Sequence, residues 1–455
     1  MSEWQGRRIV ILGLGASGRA ALMLLRQKGA VISVVDAREP EPALRREWEA
    51  SGIHWLAPTV PLNWEGDAAI VSPGIPETHP WIQALRRQGV PLLSELELGW
   101  RFRGPSRVLA ITGSNGKSTL VRLCVGAFRR AGRTAREAGN CGPPLSAVVR
   151  EPPVEWLVLE VSSFQLETVS QFCPDIGLWL NLYPNHLDRH GTIEAYAALK
   201  ARMFQRQGPS ETAILHESVK PWMRGVERQG MRCCFFGLGR GNTYRYEDGH
   251  IVMGERGAHR LEIRGTRFDN PVLGPAVAAA TAVMDAAGLP VSALADEIRE
   301  FQPLPHRMEM VDEIHGVRFI NDSKGTNLAA LEAALSMMDR PVRLVAGGRL
   351  KEGDVGRVKE LLQSKCIKVY VIGESAERLR SAWNGAVDVE ICHDLETAVR
   401  RAWEESRPGE AVLLSPAAAS FDQYASFEQR GEHFRCIVRK LRSEMELQAW
   451  EARKK

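Results

Sequence analysis

Short apolar runs alternate with amphipathic stretches along most of the chain, a pattern that predicts parallel β-strands separated by helices. Near the N-terminus the predicted strands cover 8–12, 31–35, 68–71 and 91–93. A second series covers 108–111, 156–161, 176–182 and 212–215, followed by a short β-rich part at 232–237 and 251–263 and an Ala-rich helix at 276–287. A third series, after a Pro-rich break at 301–305, covers 317–321, 342–346, 368–372 and 411–415. The chain is therefore expected to form three α/β domains, at 1–103, 104–303 and 304–455.

Composition fits several domains with substantial cores, because the 455 residues are 44% hydrophobic and 25% charged. Lys and Arg total 59 against 55 Asp and Glu, and the net charge of +4 is spread along the sequence. The densest basic stretch, at 129–136, is interpreted as a helix C-terminus with a solvated face. Nucleic acid is therefore not expected as a partner.

The N-terminus runs straight into the first strand without the apolar core of a signal sequence. No uninterrupted apolar run approaches the roughly 20 residues of a membrane span. The eight cysteines show no C-x-x-C spacing, which favours reduced thiols over a zinc site or a disulfide framework. The expectation is a cytoplasmic protein without membrane insertion.

A phosphate-binding loop is the most specific motif of the chain. Between the strand at 108–111 and a helical pattern, it consists of Gly113, Ser114, Asn115, Gly116, Lys117, Ser118 and Thr119. Glycines let backbone N–H groups turn toward phosphate oxygens, the lysine neutralises their charge, and a hydroxyl reaches Mg²⁺. Ile111 replaces the first glycine of the usual G-x-x-x-x-G-K-[ST] pattern, and a glycine-rich turn beside a helix cap is the structural alternative. The prediction is ATP binding.

A second glycine-rich loop follows the first predicted strand, where Gly13, Gly15 and Gly18 give the spacing G-x-G-x-x-G. Asp36 ends the next strand about 20 residues later, as in dinucleotide-binding folds. Taken alone, the glycine-rich loop and Asp36 predict NAD binding, although the same geometry can bind any diphosphate. Asp36 and Arg38 are interpreted as contacts to a ribose, a base or a sugar, with a tight turn and a surface acid as the alternative.

Two polar side chains follow strands of the second series. Glu160 lies near the end of the run at 156–161, where a carboxylate beside a phosphate loop holds Mg²⁺ directly or through water. A neighbour of a helix N-cap is its structural alternative. His186 follows the run at 176–182 and is a candidate metal ligand, against the alternative of a polar surface loop.

In these motifs the chain resembles the Mur ligases, the ATP-dependent amide-forming enzymes of peptidoglycan synthesis. In the second domain the resemblance rests on the phosphate loop, Glu160, Asn185-His186-Leu187-Asp188, and Tyr196 with Lys200. In the third it rests on Pro305-His306-Arg307, Asn321-Asp322-Ser323-Lys324-Gly325-Thr326-Asn327, Gly347-Gly348-x-x-Lys351, and the run from Ser415 to Gln423. It implies a Rossmann-like UDP-binding domain, a central P-loop ATPase-like parallel sheet with a small β part, and a C-terminal Rossmann-like domain. The D-glutamate-adding branch is favoured, because the ligases for alanine and diamino acids usually read Asp-Tyr-Ala-His where this chain reads Asp322-Ser323-Lys324-Gly325.

The resemblance implies that the alanyl carboxylate of UDP-N-acetylmuramoyl-L-alanine attacks the γ-phosphate of ATP, and that the amine of D-glutamate then attacks the acyl phosphate. It implies catalytic roles for Lys117, His186 and Lys200. It further implies two Mg²⁺ ions, one coordinated by Ser118 and Glu160 and the other by His186 and Lys200. An ammonium cannot ligate a cation, so Lys200 is expected to be carbamylated by CO₂. With a pKa near 10.4, only about one lysine in 2,500 is neutral at pH 7, so the site must lower that pKa.

The resemblance also implies the substrate contacts. Those along the UDP substrate are Ala16, Ser17, Asp36, Arg38, Ser72, Gly74, Asn140 and Gln165. Arg307 and Asp322 are expected to hold ATP from the third domain. The contacts to D-glutamate are Thr326, Lys351, Ser420 and the backbone of Phe427, since a cation and hydroxyl donors suit carboxylates. Domain closure is expected to complete the site and exclude water, and the protein is expected to be a monomer.

One departure from the family concerns adenine. A His-Asn-x-x-Asn run usually precedes the Ala-rich helix, but an ungapped match puts Ala276 at the second Asn. Catalysis is expected to survive, with altered nucleotide affinity or selectivity.

The sequence leaves three other functions open. An NAD-dependent oxidoreductase built on the first domain leaves the phosphate loop and the third domain unexplained. A nucleotide-binding regulator without turnover is disfavoured by the retained Lys117, Glu160, His186 and Lys200. The third is a ligase of this fold that uses another acceptor amino acid.

Overall fold

The computed structural model describes residues 4–226, 230–254, 257, 259–351 and 353–454. The chain divides into two compact units, one over Met1–Leu182 and Arg189–Glu300, the other over Tyr183–Asp188 and Phe301–Lys455. Residues 255, 256 and 258 of the predicted β-rich part lie outside the described residues. The predicted boundary near residue 103 falls inside the first unit, and the three-domain division stays a prediction. No described helix combines the length and apolarity needed to cross a membrane.

The strands, in chain order, are β1 (Arg8–Leu12), β2 (Val31–Val35), β3 (Ile53–Trp55), β4 (Ala68–Val71), β5 (Leu92–Ser94), β6 (Arg107–Thr112), β7 (Ala135–Gly139), β8 (Trp156–Glu160), β9 (Ile176–Trp179), β10 (Thr212–His216), β11 (Arg232–Gly237), β12 (Tyr244–Glu247), β13 (His250–Met253), β14 (His259–Glu262), β15 (Glu309–Ile314), β16 (Val317–Asn321), β17 (Val342–Gly347), β18 (Cys366–Ile372), β19 (Asp388–His393) and β20 (Ala411–Leu414).

The helices are α1 (Ala16–Gln27), α2 (Pro42–Ala50), α3 (Pro80–Arg87), α4 (Glu95–Arg101), α5 (Lys117–Arg130), α6 (Leu145–Val148), α7 (Ser163–Leu166), α8 (Leu187–His190), α9 (Ile193–Ala201), α10 (Gly274–Ala287), α11 (Val291–Glu300), α12 (Leu328–Ser336), α13 (Lys359–Lys365), α14 (Ala376–Trp383), α15 (Leu395–Glu404) and α16 (Phe427–Lys454). Short 3₁₀ segments lie at Arg202–Phe204, Glu217–Met223 and Gly356–Val358.

The first sheet is parallel, with the order β3-β2-β1-β4-β5. Strand β1 is apolar at Ile9 through Leu12 and buried there, as expected for a central strand covered on both faces. The strand order reverses at β1, so the loops after β1 and β4 meet at the carboxyl edge, where open α/β sheets bind ligands. Strands β1, β2 and β4 match the predicted bounds, whereas β3 is only three residues long and was missed.

The second sheet has the order β14-β13-β12-β11-β10-β9-β6-β8-β7. Strands β6 to β12 pair in parallel, and β12, β13 and β14 form an antiparallel extension. This confirms the predicted parallel sheet with a small β part. The reading of the basic stretch 129–136 as a helix end was wrong in its second half, because α5 ends at Arg130 and Arg136 lies in β7. Without β-branched residues, Ala135–Gly139 has little strand signal of its own, and pairing with β8 imposes the extended conformation.

The third sheet, in the second unit, has the order β15-β16-β20-β17-β18-β19. All of its pairs are parallel except β15 with β16 at one edge. Two apolar clusters, one around Leu344 and Trp383 and one around Phe319 and Phe434, cover its faces. The α/β prediction is therefore confirmed here as well, although both edge strands, β15 and β19, were missed.

Candidate active site

The phosphate loop joins β6 to α5 in a conformation that needs its glycines. Gly113 has φ of +154° and Gly116 has φ of +83°, a region that other residues rarely adopt. A Cβ on Gly116 would lie 3.0 Å from Cδ2 of Leu180. The glycines therefore let the chain turn from β6 into α5 at the edge of the sheet, where the start of a helix favours an anion.

Asn181, which no sequence motif indicated, fixes this loop. Its Oδ1 accepts hydrogen bonds from the backbone N–H groups of Ser114, at 2.9 Å, and Asn115, at 3.0 Å. Its Nδ2 donates to the carbonyl oxygen of Asn115 at 3.0 Å. The sequence signal that could have indicated Asn181 was its single amide within the apolar run at 176–182. The strand in that run ends at Trp179, so Asn181 lies just beyond it.

Replacing Asn181 by alanine is expected to lower the affinity for ATP by about tenfold and the free energy of unfolding by ~1–3 kcal/mol, because the N–H groups of Ser114 and Asn115 lose a side-chain acceptor and Ser114 keeps the longer bond to the Asn181 carbonyl oxygen. Calorimetric titration with ATP and urea unfolding measure the two effects. The matched control is Asn242→Ala, which removes a hydrogen bond to Glu217 elsewhere in the same unit. The control should lower stability only, and equal ATP affinity in both variants would contradict the role of Asn181.

Four polar side chains converge below the loop. Ser118 donates from Oγ to Oε2 of Glu160 at 2.5 Å. Asn140 donates from Nδ2 to Oε1 of the same carboxylate at 2.9 Å. Lys117 donates from Nζ to the carbonyl oxygens of Gly113, at 2.9 Å, and Ser114, at 3.1 Å. Glu160 ends β8 and is 4% exposed, so the carboxylate lies at the sheet edge where the sequence predicted it.

Lys200 is the most unusual residue of this group, because its side chain is only 1% exposed and carries an amine. Its Nζ donates to the carbonyl oxygen of Gly113 at 2.9 Å and to Oγ1 of Thr112 at 3.3 Å, and it lies 4.5 Å from the ring centroid of Tyr196. Burial lowers the pKa of Lys200 well below its ordinary value, and the nearby charge of Lys117 lowers it further. The environment therefore favours a neutral, nucleophilic amine, as the carbamylation hypothesis requires.

The donor set suits a hard cation. Ser118 and Glu160 offer a hydroxyl and a carboxylate oxygen, which are ligands that Mg²⁺ accepts, and Mg²⁺ completes its shell with phosphate oxygens and water. Within the described ranges no three or more His, Cys, Asp or Glu side chains gather at one place. Ser118 and Glu160 thus fit one magnesium ion whose remaining ligands are ATP oxygens and water.

The loops of the first sheet are tied to each other. Asp36 accepts hydrogen bonds from the backbone N–H groups of Leu14, at 2.6 Å, and Arg38, at 3.0 Å. Ser72 donates from Oγ to the carbonyl oxygen of Gly13 at 2.8 Å. Asp36 therefore shapes the glycine-rich loop, a structural role in addition to the predicted ligand contact.

The other expected contacts to the UDP substrate lie near these loops or beside Glu160. Ala16 and Ser17 begin α1, Arg38 and Gly74 are exposed, and Asn140 bonds Glu160. Gln165 is 3% exposed, and its Oε1 accepts hydrogen bonds from the backbone N–H and the hydroxyl of Ser162 in a capping box at the start of α7. The roles of all these residues toward a ligand stay predictions.

In the second unit, Asp322 is the most constrained of the expected ATP contacts. It accepts hydrogen bonds from Oγ of Ser415, at 2.8 Å, and from the N–H of Met308, at 3.2 Å. Burial raises its pKa to about 7. A Cβ on Gly325 would lie 2.5 Å from Oδ2 of Asp322, which explains the glycine at this spacing. The role of Arg307 stays a prediction.

The residues expected to bind D-glutamate also belong to the second unit. Thr326 precedes α12, Ser420 is 2% exposed, and Phe427 begins α16 with its carbonyl oxygen accepting a hydrogen bond from Ser323 at 2.8 Å. Lys351 follows β17. His186, with φ of +56°, lies in the segment Tyr183–Asp188 of this unit, and its role as a metal ligand stays a prediction.

The start of α10 lacks the expected adenine contact. Ala276 lies in its first turn, and the nearest asparagine, Asn270, uses Oδ1 to accept hydrogen bonds from the N–H groups of Val272 and Leu273. Ala276→Asn is therefore expected to raise the preference for ATP over GTP, because it restores the side-chain amide that the family usually has at this position for contact with adenine. Michaelis constants for ATP and GTP with both proteins measure the effect, and an unchanged ratio would contradict it.

Three family models match the chain. They are described as Mur ligase MurD-like, N-terminal domain, over residues 7–94, as Mur ligase middle domain, over 111–274, and as Mur ligase, glutamate ligase domain, over 306–418.

Full-length relatives extend this similarity. The UDP-N-acetylmuramoylalanine–D-glutamate ligase of Acidobacterium capsulatum is 36% identical over 457 residues, which cover 96% of this chain and 97% of the relative. The ligase of the same name from Pelotomaculum thermopropionicum is 36% identical over 458 residues, which cover 97% and 99%. Among solved structures, the MurF ligase from Thermotoga maritima in complex with ADP matches with a TM-score of 0.61 at 16% identity, covering 96% of both chains, a likeness of fold.

Proposed function

The chain belongs to the Mur ligase family, and on that basis we propose that it is the ATP-dependent ligase that joins D-glutamate to UDP-N-acetylmuramoyl-L-alanine in peptidoglycan precursor synthesis. The relatives that match it from end to end carry this name. The observation that carries the chemistry is the buried Lys200 beside Lys117 and Glu160 at the phosphate loop. An oxidoreductase built on the first domain would leave Lys200, Lys117 and Glu160 without a function.

In the first step, an oxygen of the alanyl carboxylate attacks the γ-phosphorus of ATP. The new oxygen–phosphorus bond forms as the bond between the γ-phosphorus and the bridging oxygen breaks, and ADP leaves with that electron pair. Negative charge spreads over the transferring phosphoryl group, so Lys117 and the N–H groups at the start of α5 stabilise it.

In the second step, the amine of D-glutamate attacks the carbonyl carbon of the acyl phosphate. The amide bond forms, the bond from that carbon to the phosphate oxygen breaks, and inorganic phosphate leaves while the amine loses a proton. Thr326, Lys351, Ser420 and the backbone of Phe427 are the proposed contacts to the two D-glutamate carboxylates. Arg307 and Asp322 are proposed to contact ATP.

Magnesium, bound through Ser118 and Glu160, would neutralise charge on the phosphate oxygens. We propose further that Lys200 is carbamylated: its neutral amine attacks CO₂, a nitrogen–carbon bond forms, and the nitrogen loses a proton. The resulting carbamate supplies oxygen donors, with His186, for a second ion. The lowered pKa of Lys200 supports this step, because only the neutral amine reacts.

The UDP moiety is proposed to bind along the loops after β1 and β4, through Ala16, Ser17, Asp36, Arg38, Ser72 and Gly74, with Asn140 and Gln165 nearer the reacting end. These loops end neighbouring parallel strands at a position where the strand order reverses. We expect the protein to work in the cytoplasm, because its proposed substrates are ATP and a nucleotide sugar. We also expect it to be a monomer, as the family resemblance implies.

An isotope experiment tests the acyl phosphate directly. The substrate carries a heavy oxygen isotope in both oxygens of its alanyl carboxylate, and the released phosphate is analysed by mass spectrometry. Attack of the carboxylate on ATP predicts one heavy oxygen in the released phosphate. Unlabelled phosphate in a reaction that forms the amide would contradict the mechanism.

A further inference from the structure

Arg189, in α8, contacts two separate parts of the first unit. Its guanidinium donates from Nε to Oε1 of Glu167 at 2.9 Å and from Nη2 to Oε2 at 2.6 Å. It also donates to the carbonyl oxygens of Pro73, at 2.8 Å, and Ile75, at 3.0 Å. Arg189 therefore joins the turn after β4 in the first sheet to the end of α7 beside the second sheet.

The pair of Arg189 and Glu167 is buried, with side chains 14% and 8% exposed. Burial raises the pKa of Glu167, and the hydrogen bond from Arg189 opposes that rise. Because desolvation offsets much of the attraction between buried charges, such a pair is weak evidence for stability. The planar, bidentate guanidinium instead fixes directions, which a lysine at the same position cannot do.

The direction that Arg189 fixes is that of the Gly74 N–H group. The carbonyl of Pro73 and the N–H of Gly74 belong to one planar trans peptide, so holding the carbonyl aims the N–H the opposite way. Gly74 is exposed, and a Cβ on it would meet nothing within 4 Å. The turn itself is closed by a hydrogen bond from Ile75 N–H to Ser72 carbonyl oxygen at 3.0 Å. Through Ser72 Oγ it is fastened to Gly13 in the first glycine-rich loop.

The residue after Arg189 connects to the phosphate loop. The ring of His190 contacts Oγ of Ser163 at 2.9 Å and stacks on Tyr196 with centroids 5.3 Å apart. The Tyr196 hydroxyl lies 3.4 Å from Oγ of Ser114. Arg189 and Glu167 thus lie between the turn at 72–75 and the phosphate loop, within one contiguous set of packed side chains.

We propose that Arg189, supported by Glu167, is a positioning residue that aims the Gly74 N–H at an acceptor oxygen of the UDP substrate. This inference rests on the proposed function, since it assumes that the UDP substrate binds along the turn at 72–75. We therefore expect substitutions of Arg189 to weaken the binding of that substrate and to have little effect on the binding of ADP.

Calorimetric titrations with UDP-N-acetylmuramoyl-L-alanine and with ADP test the proposal in the full-length protein without turnover. The variants are Arg189→Gln and Arg189→Lys, and the matched control is Arg129→Lys, because Arg129 also donates two hydrogen bonds to a backbone carbonyl, that of Ala135. We expect Arg189→Gln to weaken binding of the UDP substrate about tenfold, Arg189→Lys to weaken it by a smaller factor, and the affinity for ADP to stay within about twofold. In kinetics the same variants should raise KM for the UDP substrate and leave kcat at saturation nearly unchanged.

The outcomes separate this inference from the proposed function. Failure of the unmodified protein to bind the UDP substrate would overturn the proposed function. Normal binding by the unmodified protein and equal binding by Arg189→Gln would overturn only the role of Arg189. Equal losses of affinity for the UDP substrate and ADP would also overturn it, since that pattern indicates general damage to the fold.

Discussion

Replacing Lys200 by methionine is expected to lower kcat by roughly a hundredfold to a thousandfold, the range typical of losing one electrostatic group at a reacting phosphate or oxyanion. The amine is buried beside Lys117, so it serves neither solubility nor a surface ion pair. Methionine fills a similar volume. Of the two acceptors that Lys200 contacts, the Gly113 carbonyl keeps Lys117 as a donor, and the Thr112 hydroxyl keeps its own hydrogen bond to the Val161 carbonyl oxygen. The loss should therefore fall on turnover, measured as ADP release under saturating substrates.

Carbon dioxide distinguishes a carbamate from a plain amine at this position. Activity of the unmodified protein should fall in CO₂-depleted buffer and return with bicarbonate, whereas the Lys200→Met variant should respond to neither. A variant that retains a tenth or more of the normal kcat would contradict the assigned role.

The pH dependence of stability reports the same residue. Because the folded pKa of Lys200 lies below its ordinary value of 10.5, the unfolded chain binds the extra proton more readily. Stability of the metal-free protein should therefore rise with pH between the lowered pKa and 10.5, and Lys200→Met should lack this rise.

Replacing Glu160 by glutamine is expected to lower kcat by roughly a hundredfold and to raise the concentration of Mg²⁺ needed for half-maximal activity. The amide keeps the shape of the carboxylate but removes its charge. It also turns an NH₂ group toward either Ser118 Oγ or Asn140 Nδ2, both of which donate to Glu160. Rates measured across a range of free Mg²⁺ separate the two effects.

The matched control is Glu155→Gln. The carboxylate of Glu155 accepts hydrogen bonds from Thr134 and Arg133, away from the phosphate loop. Its kcat and its Mg²⁺ dependence should equal those of the unmodified protein. If Glu160→Gln gave the same curve as this control, Glu160 would not be a magnesium ligand.

The sequence predicted the strands whose apolar runs are long and buried on both faces, such as β1, β2 and β16. It missed β3, β7, β12, β15 and β19, which are short or lie at a sheet edge, where neighbouring strands impose the conformation and local composition does not. The predicted end of a strand was also wrong where the apolar run extended past the strand. The run at 176–182 includes Asn181, but β9 ends at Trp179.

For the candidate site, the sequence predicted which residues are expected to meet phosphate or metal, because phosphate chemistry restricts residue type and spacing together. Lys200 and Glu160 do lie together beside the phosphate loop. Residues that act on the backbone were missed, since Asn181 and Arg189 reach carbonyl and N–H groups far away in sequence. Their partners are set by the packing of loops, which no short motif encodes.

The most direct test of the proposed function is phosphate release from ATP and Mg²⁺ in the presence of UDP-N-acetylmuramoyl-L-alanine. D-glutamate is compared with no amino acid, L-glutamate, L-lysine and meso-diaminopimelate. Phosphate release at a substantial rate is expected with D-glutamate alone. Release that requires another amino acid, or no release under any condition despite ATP binding, would contradict the proposed function.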